Sequence, residues 1–254
     1  MQSIREDVNL HLFFTRLTKL VQVCYSYRLA WSFLRHGVLA GAEHRHVLAC
    51  DLATVVDIGA NRGQFSLAAR RWVPRARVIS FEPLPEPAEV FRRVFANDEA
   101  VVLYEAALGP KEESVTMHVS ASDDSSSLLP ISSLQSEIFP GTEEVATTKV
   151  RVVPLDAFVQ ADDLVAPAML KLDVQGFELN ALSGCESLLH CFDLVYCECS
   201  FVELYSGQAL AADVIEWLSN KGFKIKGVYN PAYDNEGQAI QADFLFKRNN
   251  MSVV

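Results

Sequence analysis

From residue 53 onward, short apolar runs alternate with longer stretches of helical periodicity. Seven apolar runs predict strands, near residues 54–58, 77–82, 100–107, 168–173, 192–199, 222–229 and 241–247. Four amphipathic stretches predict helices, near residues 63–72, 85–96, 176–190 and 207–221. This alternation is typical of a parallel sheet covered on both faces. We therefore predict an α/β fold, doubly wound around a mostly parallel seven-stranded sheet.

Two features interrupt the regular alternation. The last two predicted strands are separated by turn residues at 230–231 and 235–237, which favour an antiparallel hairpin and a reversed last strand. A long insertion lies between the third and fourth strands, with further strands predicted at 114–120 and 148–153 and a polar loop at 122–127. Insertions of this length tend to be functional lids or disordered segments.

The first fifty residues follow another pattern. Apolar side chains recur at helical spacing between Leu10 and Trp31, with basic residues among them, which predicts an amphipathic helix. A short helix is expected near 38–50. The charge-free stretch 20–27 falls far short of the roughly 20 residues that span a bilayer. Three interpretations of this helix stay open: it packs on the following domain, it packs on a second copy in a homodimer, or it contacts a membrane surface. We divide the chain into an extension, 1–50, and a domain, 51–250.

The first predicted strand runs into a turn that contains two glycines. Gly59 and Gly63 permit positive φ and close approach of a ligand, and the N–H groups that open the next helix favour an anionic group. A P-loop would need Gly-Lys-Ser/Thr here. A dinucleotide fingerprint would need a second glycine where Asn61 stands. The spacing Asp-x-Gly-x-x-x-Gly at 57–63 instead resembles motif I of the class I S-adenosylmethionine-dependent methyltransferases.

The second predicted strand ends in Glu82, 19 residues after Gly63. A carboxylate at this point can accept hydrogen bonds from both hydroxyls of a ribose. The end of the third strand, at Glu105 or the neighbouring Ala106, is expected near an adenine. The predicted cofactor contacts are therefore Asp57, Gly59, Asn61, Gly63, Glu82 and Glu105.

A second group of polar residues follows the hydrophobic strand 168–173. Lys171 and Asp173 come to its carboxyl end, the edge at which open α/β sheets bind ligands. Glu178 stands in the first turn of the next predicted helix, and Glu198 ends the next strand. We expect three carboxylates and a lysine to meet here. Mg²⁺ accepts carboxylate ligands, so a magnesium site is kept as the lesser alternative to a site without metal.

Six ordered motifs resemble those of the FkbM family of methyltransferases: VDIGANRGQ at 56–64, FEP at 81–83, ALG at 107–109, PLD at 154–156, KLDVQGFE at 171–178, and Glu198. The resemblance covers about residues 50–247. It implies a Rossmann-like class I methyltransferase fold, S-adenosylmethionine as cofactor, and transfer of a methyl group to a hydroxyl of a sugar, glycan or polyketide-like small molecule. Gln175 departs from the pattern, because the family usually has a glutamate there.

The chemistry of such a transfer suggests roles for the predicted residues. The acceptor oxygen, methyl and sulfur must be aligned, and the hydroxyl must lose a proton that a carboxylate can take. We predict Asp173 as the base, grouped with Lys171 and Glu198; a structural pairing of Asp173 with Lys171 is equally open. Acceptor contacts are expected from the polar loop and the next helix: Ser125, Ser126, Ser127 and Glu178. A solvated linker for the serines and a helix-dipole role for Glu178 are the alternatives.

Composition limits the partners. The chain has 254 residues, half of them hydrophobic, which is enough for one large core. The net charge is −10 overall, and residues 51–254 carry −13 because the first fifty carry +3. This acidic balance argues against nucleic acid, which demands a basic face. Six cysteines without a CxxC pair, and no secretory signal, predict a reduced, cytoplasmic setting.

Two other functional classes stay open at this point. An NAD(P)-binding oxidoreductase would share the first turn and the acid after the second strand. A non-catalytic protein that docks on a membrane or a partner would keep the sheet and use the amphipathic helix. The oxidoreductase is disfavoured because Asn61 stands in place of the second glycine and no Tyr-x-x-x-Lys-like pair lies in a suitable place. A docking protein would be recognised by a pocket that binds no cofactor.

Overall fold

The computed structural model describes Arg35 and residues 37–249. The amphipathic helix predicted between Leu10 and Trp31 lies outside these residues. The helix expected near 38–50 is a short 3₁₀ helix, Ala42–His46. Within the described part of the chain, no helix is both long enough and apolar enough to cross a membrane.

Ten strands of the described residues form two sheets: β1 Thr54–Ile58, β2 Arg77–Phe81, β3 Val101–Tyr104, β4 Ala107–Leu108, β5 Glu113–Ser120, β6 Glu144–Val153, β7 Ala168–Leu172, β8 Leu194–Ser200, β9 Phe223–Tyr233 and β10 Ala239–Arg248. The main sheet has the order β3-β2-β1-β7-β8-β10-β9. Its neighbouring strands are parallel except β10, which is antiparallel to both β8 and β9. The predicted seven-stranded sheet with a terminal hairpin is confirmed.

Between residues 37 and 249, five α-helices accompany the strands: α1 Gln64–Trp72, α2 Pro85–Val94, α3 Ser133–Ile138, α4 Glu178–Gly184 and α5 Ala211–Asn220. Each central strand sends alternate apolar side chains into two buried clusters, one on each face of the sheet. In β1, Val56 and Ile58 belong to one cluster and Val55 to the other. All five residues of β1 are buried, so its carboxyl end is held rigidly between β2 and β7.

The insertion differs from the prediction in its details. The run predicted as one strand at 100–107 divides, because β3 pairs with β2 whereas β4 pairs with β6 in a separate three-stranded sheet. The two predicted extra strands are present as β5 and β6, which pair antiparallel. The short helix α3 was not predicted. The insertion is thus an ordered layer over the carboxyl ends of the main strands.

The helix predicted at 176–190 is also shorter than expected. Helix α4 ends at Gly184, and a 3₁₀ helix, Glu186–Cys191, follows it. A Cβ at Gly184 would lie 2.5 Å from the backbone oxygen of Gly109. This close approach packs the end of α4 against the chain after β4.

Candidate active site

A pocket of about 280 Å³ opens at the carboxyl ends of β1, β2 and β7. Its walls come from six parts of the chain: residues 39–44, 58–65, 81–84, 106–108, 117–128 and 171–177. Four of these parts carry the sequence motifs. The other two are the segment before β1 and the insertion, which close the pocket from outside the motifs.

The turn between β1 and α1 has a backbone that requires glycine at two positions. Gly59 has a φ of 75°, and a Cβ there would lie 1.9 Å from the backbone oxygen of Asp173. Gly63 has a φ of 95°, and its Cβ would lie 2.6 Å from the Phe95 ring. Asn61 also has positive φ, 46°, which asparagine adopts more readily than most residues. Gly59 and Asn61 line the pocket, so bare backbone forms its floor.

Glu82 links the turns after β1 and β2. Its Oε2 accepts a hydrogen bond from the Asn61 N–H at 2.9 Å, and its Oε1 accepts one from the Leu84 N–H at 2.8 Å. Burial raises the pKa of Glu82 to about 7, although the two backbone N–H groups favour the ionised form. A carboxylate offers about four acceptor positions, so two stay available to a ligand in the pocket.

Lys171 and Asp57 form a buried ion pair beneath the pocket. Lys171 Nζ lies 3.2 Å from Asp57 Oδ1 and 3.6 Å from Asp173 Oδ2. Burial alone would lower the pKa of Lys171, but the carboxylates of Asp57 and Asp173 outweigh it and raise that pKa. Asp57 does not line the pocket, and its Oδ2 accepts a hydrogen bond from Ser66 at 2.6 Å. Lys171 does line it and donates to the Gly59 backbone oxygen.

Gln175 joins two of the predicted catalytic carboxylates. Its amide nitrogen donates to Asp173 Oδ1 at 2.7 Å and to Glu198 Oε2 at 3.0 Å. Its amide oxygen accepts a hydrogen bond from the Tyr205 hydroxyl at 2.7 Å. Asp173 and Gln175 line the pocket and Glu198 does not. Burial, followed by the charge of Asp173, raises the pKa of Glu198. Asp173 is therefore the predicted catalytic carboxylate that faces the pocket.

Glu178 and Glu105 lie outside the pocket lining. Glu178 is 3% exposed, and its Oε1 accepts hydrogen bonds from the Val174 and Gly176 N–H groups, which holds the turn between β7 and α4. Burial raises its pKa to about 7. Glu105 is exposed and pairs with Arg92 of α2. Ala106, the alternative to Glu105, is fully buried and lines the pocket.

The three serines of the polar loop have different environments. Ser126 is buried and lines the pocket. Ser127 is also buried, and its hydroxyl donates to the backbone oxygen of Gln175 at 2.5 Å. The backbone oxygen of Ser125 accepts from the Tyr205 hydroxyl at 3.1 Å. The loop is therefore tied to the β7–α4 turn through side chains and backbone.

Gln64 and His44 are among the pocket residues that the sequence analysis does not propose as site residues. Gln64, the last residue of the first motif, has a buried amide oxygen with no hydrogen-bond partner among the described residues. His44 lines the pocket from the 3₁₀ helix before β1. Gln64 could have been found from the sequence, because it is part of the first motif at 56–64. His44 carried no local signal, because its hydrogen-bond partner Tyr196 is 152 positions away.

The predicted carboxylates do not form a metal cluster in this geometry. Glu178 and Glu198 point into hydrogen bonds with the β7–α4 turn and with Gln175, away from the pocket. Over Arg35 and residues 37–249, no group of three or more histidine, cysteine, aspartate or glutamate side chains is arranged to hold a metal ion.

Similar proteins are known among methyltransferases. The chain is 27% identical over 194 residues to Methyltransferase 1 of Beauveria bassiana, covering 69% of this chain and 74% of the relative. It is 26% identical over 175 residues to the 2-O-methyltransferase NoeI of Sinorhizobium fredii, covering 65% and 70%. The structure of precorrin-6y C5,15-methyltransferase from Geobacter metallireducens matches with a TM-score of 0.43 and 13% identity, over 81% of this chain and 87% of that one.

The profile of the family described as the methyltransferase FkbM domain matches residues 57–225. This range begins at Asp57 in the first turn and includes Glu82, Asp173 and Glu198. It covers more than half of the chain. The matched range thus contains the turn that forms the pocket floor, and the chain belongs to the FkbM family of methyltransferases.

Proposed function

We propose that the protein transfers the methyl group of S-adenosylmethionine to a hydroxyl of an uncharged, hydroxyl-rich small molecule such as a sugar. One observation carries this proposal: the glycine turn, the Glu82 carboxylate and the Asp173 carboxylate face one pocket. The first two suit an adenosyl cofactor. The third suits a hydroxyl that must lose a proton.

The pocket fits the cofactor in three respects. Gly59 lines the pocket without a side chain, so its backbone can meet a ligand closely. Glu82 already accepts one N–H from each of the turns after β1 and β2, and it retains acceptor positions for two ribose hydroxyls. The buried amide oxygen of Gln64 lacks a donor among the described residues, and the ammonium group of the methionine part would supply one.

Bound S-adenosylmethionine supplies a methyl group on a positively charged sulfur. Asp173 would have two tasks: to accept a hydrogen bond from the acceptor hydroxyl, and to take its proton as the methyl passes to the oxygen, the sulfur–methyl bond breaks and S-adenosylhomocysteine is left. Gln175 and Lys171 fix the carboxylate from two sides, so little reorganisation is needed. Glu198 holds Gln175. Lys171 and Glu198 are therefore positioning residues in this proposal.

The charge of the pocket mouth supports an uncharged acceptor. Carboxylates of Glu43, Glu82, Asp124 and Asp173 line the pocket together with Asp123, which is paired with Arg62, and Lys171 is the one lysine or arginine among the described lining residues. Lys171 is already paired with Asp57 and Asp173. An anionic acceptor would meet net repulsion at this mouth, whereas hydroxyl groups can donate to carboxylates. The relative NoeI is named a 2-O-methyltransferase, which supports a hydroxyl acceptor.

Two measurements test the proposal in sequence. Calorimetric titration should show binding of S-adenosylmethionine and S-adenosylhomocysteine, with NAD⁺ as the matched comparison ligand. Radiolabelled donor should then label hydroxylated sugars or polyketide-like alcohols in a screen. Binding of NAD⁺ without S-adenosylmethionine would refute the cofactor assignment. Labelling confined to amines or thiols would refute transfer to oxygen.

A further inference from the structure

His44 occupies a wall of the pocket that the family motifs do not reach. It belongs to the 3₁₀ helix Ala42–His46, before the matched range 57–225. Its ring packs edge-on against Phe65 of α1, with 5.0 Å between ring centroids, and against Tyr196 of β8, at 5.6 Å. Lys171 Nζ lies 5.5 Å from the same Phe65 ring. His44 therefore lies at the end of the pocket that also contains Lys171.

A chain of hydrogen bonds fixes the His44 ring. Its Nδ1 lies 3.1 Å from the Tyr196 hydroxyl oxygen, and that hydroxyl donates to Asp243 Oδ2 at 2.6 Å. Asn230 donates to the same carboxylate oxygen at 2.7 Å. Because the Tyr196 hydrogen is directed at Asp243, the tyrosine oxygen accepts from His44 Nδ1–H. The neutral ring then carries its lone pair on Nε2.

The surroundings favour the neutral ring. Burial lowers the pKa of His44 from its ordinary value of 6.5. The carboxylates of Glu43, Asp243 and Asp173 act in the opposite direction, and the ammonium of Lys171 adds to the lowering. Glu43 Oε1 is 3.9 Å from Nε2, beyond hydrogen-bond length. Near pH 7, Nε2 is thus a hydrogen-bond acceptor at the pocket wall.

We propose that His44 Nε2 accepts a hydrogen bond from a second hydroxyl of the acceptor, while Asp173 engages the hydroxyl that is methylated. Tyr196 and Asp243 are positioning residues that hold the ring in the required tautomer. The inference rests on the proposed function and narrows the acceptor to a compound with neighbouring hydroxyls, as in a sugar or polyol. His44, Asn230 and Asp243 lie outside the residues that the family profile matches, which fits a role in selecting the acceptor rather than in the shared chemistry.

The test uses methyl glycosides as acceptors, each compared with its monodeoxy analogues. In the wild-type protein, removal of the second hydroxyl should reduce kcat/KM about 2- to 10-fold, the usual effect of one neutral hydrogen bond. His44→Leu should reduce kcat/KM for the full glycoside similarly and should be insensitive to the deoxy change. His46→Leu is the matched control, since His46 is exposed in the same 3₁₀ helix. Affinity for S-adenosylhomocysteine should not change in any variant.

Two further variants separate positioning from folding. His44→Gln keeps an acceptor oxygen without a titrating ring, so it should restore part of the activity. It should also remove the increase in acceptor KM that we expect of the wild type in acid, at a pH below the ordinary histidine range, where His44 is protonated and Nε2 becomes a donor. Tyr196→Phe keeps the ring packing and loses the hydroxyl. It should raise acceptor KM with little change in melting temperature.

The outcomes are distinct. If the wild type binds S-adenosylhomocysteine but labels no hydroxyl compound, both the proposed O-methylation and this inference are overturned. If the wild type methylates a glycoside, and His44→Leu keeps wild-type kinetics and the same sensitivity to the deoxy change, the inference alone is overturned. A loss of activity of equal size in His46→Leu would also overturn it, because the effect would then belong to the helix and not to the pocket.

Discussion

Glu82→Ala should weaken binding of S-adenosylmethionine by about 1–3 kcal/mol, the usual range for loss of hydrogen bonds to a charged group. This corresponds to about 5- to 150-fold in Kd. The magnitude follows from the geometry, since the carboxylate is 5% exposed and already accepts from the Asn61 and Leu84 N–H groups. The two ribose hydroxyls would donate charge-assisted hydrogen bonds to this buried carboxylate.

The same carboxylate predicts the pH dependence of cofactor binding. The pKa of Glu82 is raised by burial to about 7 in the free protein. The ionised form is the one that accepts from ribose hydroxyls. Affinity should therefore fall as the pH decreases below about 7, by at most about tenfold per pH unit. In Glu82→Ala this contribution to the pH dependence should be absent.

Glu105→Ala is the matched control for these titrations. It removes the same charge at the end of the next strand, but its carboxylate is exposed and paired with Arg92. Such surface pairs contribute about 0–1 kcal/mol, and we expect an unchanged Kd. The assay is calorimetric titration between pH 5.5 and 8, with melting temperatures to confirm folding. An unchanged Kd in folded Glu82→Ala, or an equal loss in Glu105→Ala, would refute the reasoning.

Three further substitutions test the site. Asp173→Asn should preserve cofactor affinity and reduce turnover about 10²–10⁴-fold, the range for general-base catalysis; near-normal turnover in the labelled-methyl assay would exclude Asp173 as the base. Gly59→Ala should abolish cofactor binding and lower the melting temperature, because the new Cβ would lie 1.9 Å from the Asp173 oxygen; wild-type titration curves would contradict this. Gln175→Glu should shift the acid limb of the pH–rate profile to higher pH, since a third carboxylate between Asp173 and Glu198 raises their pKa values; an unshifted limb would count against it.

The main sheet could be predicted because its signals are local. Each strand is a short apolar run, and the turn after β1 carries the local spacing Asp-x-Gly-x-x-x-Gly with Gly59 and Gly63. The contacts that make these glycines necessary, with Asp173 and Phe95, come from distant parts of the chain. The division of the run at 100–107 could not be predicted, because β4 pairs with β6, more than forty residues later. Strand pairing over such distances leaves no periodic signal in either segment.

The direction of individual side chains also depends on long-range register. Asp57 stands opposite Lys171 in the pairing of β1 with β7. This register places the Asp57 carboxylate in a buried ion pair beneath the pocket, where it does not face a ligand. His44 needs Tyr196 and Asp243 to become part of the site. The sequence lists the groups of the site, but the packing of β7, β8 and β10 decides which of them face the ligand.

The departure at Gln175 has a physical explanation in the same packing. An amide has two N–H donors and one oxygen, and here the donors bind Asp173 and Glu198 while the oxygen binds Tyr205. A glutamate at this position would have no N–H to offer the two carboxylates and would need a proton or a cation to lie between them. Gln175 removes that need. It also leaves Asp173 oriented toward the pocket without a third negative charge beside it, and Lys171 is the cation that pairs with Asp173.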